Sequence, residues 1–257
     1  FMHEMAEMSL CLPEAPGVVL PDAAGQFLIF RPRLLNYTRW FREGFASYAG
    51  YLAYLELRPQ VDGAYPLVNW GLHSGPFSSL DKVGAKLFRW HNYSPGQLDQ
   101  EYYSAALGLF LLICDEFGQD NIRRIMEQVQ KEDYLNGRDL IRVVNGVLGV
   151  DIEELAEEFS FPEIGWKTTE LTRAVLLNEN LDVGQGGLIT EIDPNGAADE
   201  AGFRKDDTIL KVGNRPIKNE MDLELAIYDS LDAREMDITI WRKDGGEEVI
   251  GLRFDDI

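Results

Sequence analysis

The sequence predicts an α+β chain in two parts, a mostly helical stretch over residues 1–160 and a small β-rich module over residues 161–257. Three observations carry this division. Apolar side chains recur at helical spacing through the first part, as in Phe45, Tyr48 and Leu52, or Ile122, Ile125, Met126 and Val129. After Ser160-Phe161-Pro162 the pattern changes to alternation with period two, as in Gly187-Leu188-Ile189-Thr190-Glu191-Ile192 and Met236-Asp237-Ile238-Thr239-Ile240-Trp241. A chain of 257 residues suits one or two domains, and 45% hydrophobic with 11% aromatic residues is enough to fill packed cores.

Taken in order, residues 1–12 read as a short helix that keeps Met2, Met5, Met8 and Cys11 clear of the acidic positions. Residues 13–39 are loop-rich, interrupted by Phe27-Leu28-Ile29-Phe30 as a buried strand or packed turn. A helix is expected over 41–57, halted by Pro59, with Glu43 in its first turn at the positive end of the helix dipole. Residues 59–100 are rich in Gly, Pro, Ser and Asn and carry one helix near 80–90; a connection this long often covers a cleft. One hydrophobic helix follows over 98–118, closed by Gly118. Helices at 119–132, 138–148 and 152–159 complete a bundle, with Asp151 as an N-cap.

In the second part, Glu248-Val249-Ile250-Gly251-Leu252-Arg253-Phe254 supplies a third strand. Asp193-Pro194-Asn195-Gly196 is turn chemistry, and Asp244-Gly245-Gly246 joins a hairpin. Residues 220–231 read as a helix.

The formal net charge of −20 repels phosphate backbones and anionic lipid, which argues against a nucleic-acid partner. Cys11 and Cys114 each lie within an apolar run, have no cysteine at metal or redox spacing, and read as buried free thiols. His73 and His91 stand in loop-like surroundings and read as polar loop residues. The longest apolar run, from Ala105 to Cys114, is too short to span a membrane. The chain opens on Phe1 with no basic stretch ahead of it, so a piece of a longer protein is expected, with any signal peptide upstream.

Trp40-Phe41-Arg42-Glu43-Gly44-Phe45-Ala46-Ser47-Tyr48 has the form W-x-x-E-G-x-x-x-Y, and His3-Glu4-Met5-Ala6-Glu7 has the form H-E-x-x-E. Together they resemble the gluzincin metallopeptidases, most of all the glycyl aminopeptidase family. The resemblance covers residues 1–160. It implies the C-terminal portion of a mostly helical, thermolysin-like catalytic lobe, whose β-rich N-terminal portion is missing. It implies zinc held by His3, Glu7 and Glu43, with Glu4 activating water, since residues i and i+4 share a helix face and a carboxylate can ligate the metal. Glu7 stands where those families carry histidine, and a second anionic ligand lowers Lewis acidity. Tyr102-Tyr103-Ser104-Ala105-Ala106 resembles the segment that supplies a tyrosine to the oxyanion, which implies that role for Tyr103. On the residues alone, Glu43 reads as a helix N-terminal acid, and Tyr102 and Tyr103 as a pair of core or boundary aromatics on a helix.

Gly196-Ala197-Ala198-Asp199-Glu200-Ala201-Gly202-Phe203 followed by Asp206-Asp207-Thr208-Ile209-Leu210 resembles a PDZ domain of the bacterial, protease-associated type. Asp206-Asp207 stands for the usual Gly-Asp, and Val212-Gly213-Asn214 for Val-Asn-Gly. The resemblance implies a groove that adds an extended peptide to a sheet edge and docks its terminal carboxylate on backbone amides. Residues 220–231 would be the groove helix. Ile164-Gly165-Trp166 is the implied carboxylate loop, with an aromatic packed between domains as the other reading of Trp166. Gly184-Gln185-Gly186-Gly187 is a second glycine-rich stretch, read as a hairpin entry.

Two functions follow as expectations. The first is a zinc aminopeptidase-like protein with a peptide-binding PDZ domain and weakened or lost catalysis. The second is a non-catalytic scaffold whose PDZ domain recognises peptides or protein C-termini. An extracytoplasmic, periplasmic location is expected by association with bacterial proteases that carry such modules.

Overall fold

The computed structural model describes residues 33–34, 37–57, 75–90, 98–170, 186–218 and 220–253. The chain divides into two compact units, Phe1–Phe159 and Ser160–Ile257. His3, Glu4, Glu7, Cys11, His73, His91 and the Phe27–Phe30 stretch lie outside the described residues, as do Gly184 and Gln185.

In the first unit, strand β1 (Arg33–Leu34) is followed by helices α1 (Arg39–Leu57) and α2 (Pro76–Val83), a 3-10 turn (Gly84–Arg89), and helices α3 (Leu98–Phe117) and α4 (Gln119–Val129). Strand β2 (Tyr134–Leu135) and helices α5 (Gly137–Leu148) and α6 (Ile152–Glu158) complete it. β1 and β2 form a two-residue parallel bridge that pairs Arg33 with Tyr134.

Helix α1 is buried on every side from Glu43 to Gly50, so it is the centre of this unit rather than a surface helix. Phe41, Phe45 and Tyr48 converge on Phe110 of α3, with ring centroids 5.6, 6.1 and 6.1 Å apart. Their approach depends on glycine. A Cβ on Gly44 would stand 2.7 Å from the Ala106 carbonyl, and one on Gly108 would stand 2.2 Å from the Pro76 carbonyl. The backbones of α1 and α2 therefore rest almost directly on α3, which no larger residue permits.

Helix α1 begins two residues before the expected start. The Thr38 carbonyl accepts from the amides of Phe41 and Arg42, at 3.1 and 3.2 Å. No acidic residue falls in the first turn, so Glu43 lies beyond the reach of the helix dipole; Arg39, four residues earlier, is its partner instead. The helix near 80–90 also differs. It starts at Pro76, where proline's missing N–H costs nothing, and becomes 3-10 at Gly84, where φ is +51°.

The later helices follow their patterns. Ile122, Ile125, Met126 and Val129 are all buried along one face of α4. Gly118, at φ +82°, ends α3 and donates to the Cys114 carbonyl. Asn136 caps α5 by accepting from the amides of Arg138 and Asp139, and Asp151 caps α6 by accepting from Glu153. Cys114 is a free thiol, half-buried rather than fully buried, and accepts from the Tyr48 hydroxyl at 3.2 Å. Burial, then that bond, pushes the Tyr48 phenol far above its ordinary pKa. No helix among the described residues is long and apolar enough to cross a membrane.

The second unit comprises β3 (Trp166–Glu170), β4 (Gly187–Ile192), α7 (Ala197–Ala201), β5 (Thr208–Val212), β6 (Arg215–Pro216), α8 (Glu220–Tyr228), a 3-10 turn (Leu231–Ala233), β7 (Glu235–Arg242) and β8 (Gly246–Arg253). The sheet runs β3-β4-β5-β7-β8, all antiparallel, with β6 paired to β5. Its core gathers Ile189, Phe203, Ile209, Leu223, Ile227, Ile238, Ile240 and Leu252. The alternation seen in β7 follows from one face meeting this core.

Replacing Gly108 with alanine tests the helix crossing: urea unfolding of the first unit should show a loss of about 2 kcal/mol. An unchanged midpoint would mean that the backbones are not in contact there.

Candidate functional site

Among the described residues β3 pairs with β4 alone, so it stands at one end of the sheet, and helix α8 lies against it. A strand edge beside a helix is where an extended peptide can add as a further strand.

The loop entering β3 is held from behind. The Ile164 carbonyl accepts from the Ala198 amide at 2.9 Å, and the Gly165 carbonyl accepts from the Asp193 amide at 2.8 Å. Gly165 has φ +79°, and an added Cβ there would come within 3.1 Å of the Gly196 Cα; Gly196 meets Gly165 at the same distance. Two glycine backbones thus cross without side chains between them. The Asp193–Gly196 turn that carries the donors is closed by the Gly196 amide on the Asp193 carbonyl and by the Asn195 amide on Asp199.

With both carbonyls drawn towards this turn, the amides of Ile164 and Gly165 donate no backbone hydrogen bond to any described residue. Backbone amides turned outward in a strained turn make a concavity suited to an anion. Ile164 anchors the loop in the core, at 5% exposure. Trp166 packs edge-on against Phe203, with centroids 5.2 Å apart and rings at 86°. Phe203 belongs to the same unit as Trp166. On the exposed face of β3, Lys167 pairs with Glu191 of β4; their hydrogen bond raises the lysine pKa and lowers that of the glutamate.

A second polar cluster fastens the turn between α7 and β5. Asp207, 2% exposed, accepts from Arg242 Nε at 2.8 Å, from Arg242 Nη2 at 2.6 Å and from the Arg204 amide at 2.8 Å. Arg242 also donates to the Gly202 carbonyl and to Glu248. The hydrogen bond to Asp207 raises the arginine pKa further above its ordinary value. Asp206, at φ +73°, fills the position where the resemblance has glycine, a conformation that aspartate tolerates better than most side chains. Its amide donates to the Ile189 carbonyl, which ties the turn to β4.

In the first unit the structure links two of the residues singled out in the sequence. Arg39 Nε lies 3.7 Å from Glu43 Oε1, and Arg39 Nη2 donates to the Tyr103 hydroxyl at 2.8 Å. Arg39 and Arg42 carried no signal at the level of motif, and it is the i,i+4 spacing of Arg39 and Glu43 that marks the first of them. Among the described residues no group of three or more His, Cys, Asp or Glu is placed to hold a metal. Glu43 Oε1 stands 3.7 Å from Arg39 Nε and 3.5 Å from Arg42 Nη2. His3, Glu4 and Glu7 lie outside the described residues.

Residues 146–249 match the family model for the PDZ domain. Over 206 residues the chain is 27% identical to a probable periplasmic serine endoprotease DegP-like of Rickettsia prowazekii (strain Madrid E), covering 74% of this chain and 32% of that protein. Over 79 residues it is 32% identical to the magnetosome formation protease MamE of Magnetospirillum gryphiswaldense, covering 31% of this chain and 10% of the other. Similar solved structures include the HtrA3 PDZ domain bound to a phage-derived ligand, with TM-score 0.31, 22% identity, and 35% of this chain and 82% of that one covered. The HtrA-type protease AlgW with a decapeptide has TM-score 0.35 and 13% identity, covering 45% of this chain and 34% of that one. The chain spans about a third of the length of the DegP-like relatives, 32% and 28%. The family match supports a PDZ domain within a mixed helix-and-sheet chain; no comparison lends support to a gluzincin lobe in residues 1–160.

Removing Arg242 tests what holds this site in shape. Arg242→Ala leaves the buried Asp207 carboxylate without its guanidinium, and thermal or urea unfolding of the second unit should show a loss of roughly 3–5 kcal/mol. A loss under about 1 kcal/mol would place the pair among exposed, weakly coupled charges.

Proposed function

We propose that this protein is a peptide-tail receptor. Its second unit captures the C-terminal end of a partner protein as an added strand between β3 and α8, and the terminal carboxylate docks on the amides of Ile164, Gly165 and Trp166. The observation that carries the reading is the pinned loop. The Ile164 and Gly165 carbonyls are both engaged behind it, which leaves amides to face an anion in front. The match of residues 146–249 to the PDZ family supports it, because that fold binds extended peptides by strand addition.

The chemistry constrains the ligand. Main-chain hydrogen bonds along β3 give affinity regardless of sequence, whereas a side-chain pocket gives selectivity. The last side chain would point into the apolar margin formed by Ile164 and Leu223, both in the core cluster, so an aliphatic terminal residue is preferred. Side chains on the opposite face of the added strand would pass the Lys167–Glu191 pair, where each charge is already balanced.

The relatives named periplasmic serine endoproteases support an extracytoplasmic setting for this chain. The same relatives favour a binding role over zinc-dependent hydrolysis by residues 1–160.

Fluorescence anisotropy with a labelled peptide ending in valine tests the reading. The free acid should bind at least about tenfold more tightly than the same peptide amidated, a difference of ~1.4 kcal/mol. Gly165→Val should abolish binding, because the β-branched residue cannot adopt φ +79° and would strike Gly196. Equal binding of acid and amide would rule out carboxylate capture.

A further inference from the structure

The two end strands of the second unit's sheet differ. β3 is five residues long and has an irregular register between Lys167 and Thr168. β8 is eight residues long and pairs with β7 residue for residue, from Glu235 with Arg253 to Arg242 with Gly246, without a bulge. Among the described residues β8 pairs with β7 alone, and it contains no proline. Short strands, bulges and prolines are devices that keep a sheet edge from taking on another strand, and β8 has none of them.

The side chains of β8 alternate between two faces. Leu252 is fully buried in the core, whereas Ile250 packs against that core and is only half-buried. Glu247, Val249, Gly251 and Arg253 are exposed on the other face, with Val249 at 65%. Helix α7 lies against β8, and its Ala198 is buried in the core, so the helix leaves that exposed face open.

A second copy of β8 fits this edge in one register. Opposed residues of an antiparallel pair point to the same face, so under a two-fold axis exposed positions oppose exposed positions. With the axis at Ile250, Glu247 faces the second copy's Arg253, and Arg253 faces the second copy's Glu247. Val249 then lies beside the second copy's Gly251, which has no side chain to oppose it. The two Ile250 side chains meet on the axis and cover the part that each core leaves open. Moving the axis to Val249 sets Glu247 against Gly251, and moving it to Gly251 sets Arg253 against Val249, so either shift loses both ion pairs. Arg253 Nε already stands 3.3 Å from Glu235 Oε1 of β7, and the paired strand would give this cation a carboxylate on each side.

We propose that β8 is an interface between two copies of this chain, paired antiparallel about Ile250 into one continuous sheet. The joined sheet runs from one β3 to the other, with a β3 edge at each outer end. On the reading of that edge given above, the dimer is a bivalent receptor, and a partner presenting two tails gains by avidity. The pairing itself rests on β8 and holds whether or not the groove takes a carboxylate.

Analytical ultracentrifugation of the full chain tests the pairing, at physiological salt where the net charge of −20 is screened. The contact is one strand wide, so a monomer–dimer equilibrium in roughly the micromolar range is expected. Glu247→Arg sets cation against cation at both ends of the paired strands and should weaken the dimer about tenfold, with the melting midpoint of the monomer unchanged. Adding Arg253→Glu should recover most of that loss. Alternate amides of β8 should exchange more slowly as the dimer forms. A monomeric mass up to about 200 μM would overturn the proposal. So would a dimer that Glu247→Arg leaves intact, or a double reversal no better than the single one. Preference for a peptide acid over its amide is read separately from mass. A monomer that keeps the preference overturns the pairing alone, and a dimer that lacks it overturns the groove reading alone.

Discussion

The crossing of Gly165 and Gly196 is the constraint on which the binding site depends. The two backbones meet so closely that a Cβ on either would stand 3.1 Å from the other's Cα, and Gly165 also holds φ +79°, so the loop entering β3 and the turn after β4 are packed as one piece. That lock determines which way the peptide groups face. The carbonyls of Ile164 and Gly165 satisfy amides of Ala198 and Asp193, and the groove side is left with donors. Ile164 and Trp166 then fasten the loop to the core from either side of the glycine, one by burial and one through Phe203.

The same device recurs in the first unit with a different outcome. Gly44 and Gly108 allow backbone to rest on backbone where α1 and α2 meet α3, and the aromatic rings of Phe41, Phe45 and Tyr48 close over Phe110 beside them. Buried charge follows a common rule in both units. Asp207 is met by Arg242 and an amide, and Glu43 by Arg39 and Arg42, so each carboxylate brings its cations into the interior with it. The pairs differ in geometry. Asp207 and Arg242 form a two-pronged contact near 2.7 Å, whereas the nearest nitrogens of Arg39 and Arg42 stand 3.7 and 3.5 Å from Glu43, and the Arg39 guanidinium lies over the Trp90 ring.

Secondary structure was largely legible where local chemistry decides it. The caps Asn136 and Asp151, the buried stripe of α4 and the alternation of β7 are short-range patterns, and the sequence displays them directly. The start of α1 was read two residues late; its first backbone bonds run to the Thr38 carbonyl, with no acidic residue in the first turn to mark it. The 3-10 turn after α2 also escaped notice; it opens at Gly84, whose φ of +51° is not a periodic signal. The Ile164-Gly165-Trp166 motif could be read as letters, but its orientation required Asp193, Gly196 and Ala198, which are some thirty residues away. Glu43 shows the opposite limit. Its motif is legible, but that Trp90 and Tyr103 gather around the neighbouring Arg39 is visible only in the fold.

The account therefore rests on the direction in which a few peptide amides point. Titrating the isotope-labelled chain with a free C-terminal peptide and following amide resonances would test this most directly. The account predicts that the largest shifts fall on Ile164, Gly165 and Trp166 and continue along β3, with α8 responding beside them. Shifts confined to β8, at the far edge of the sheet, or an unmoved Gly165 amide under saturating peptide, would contradict it.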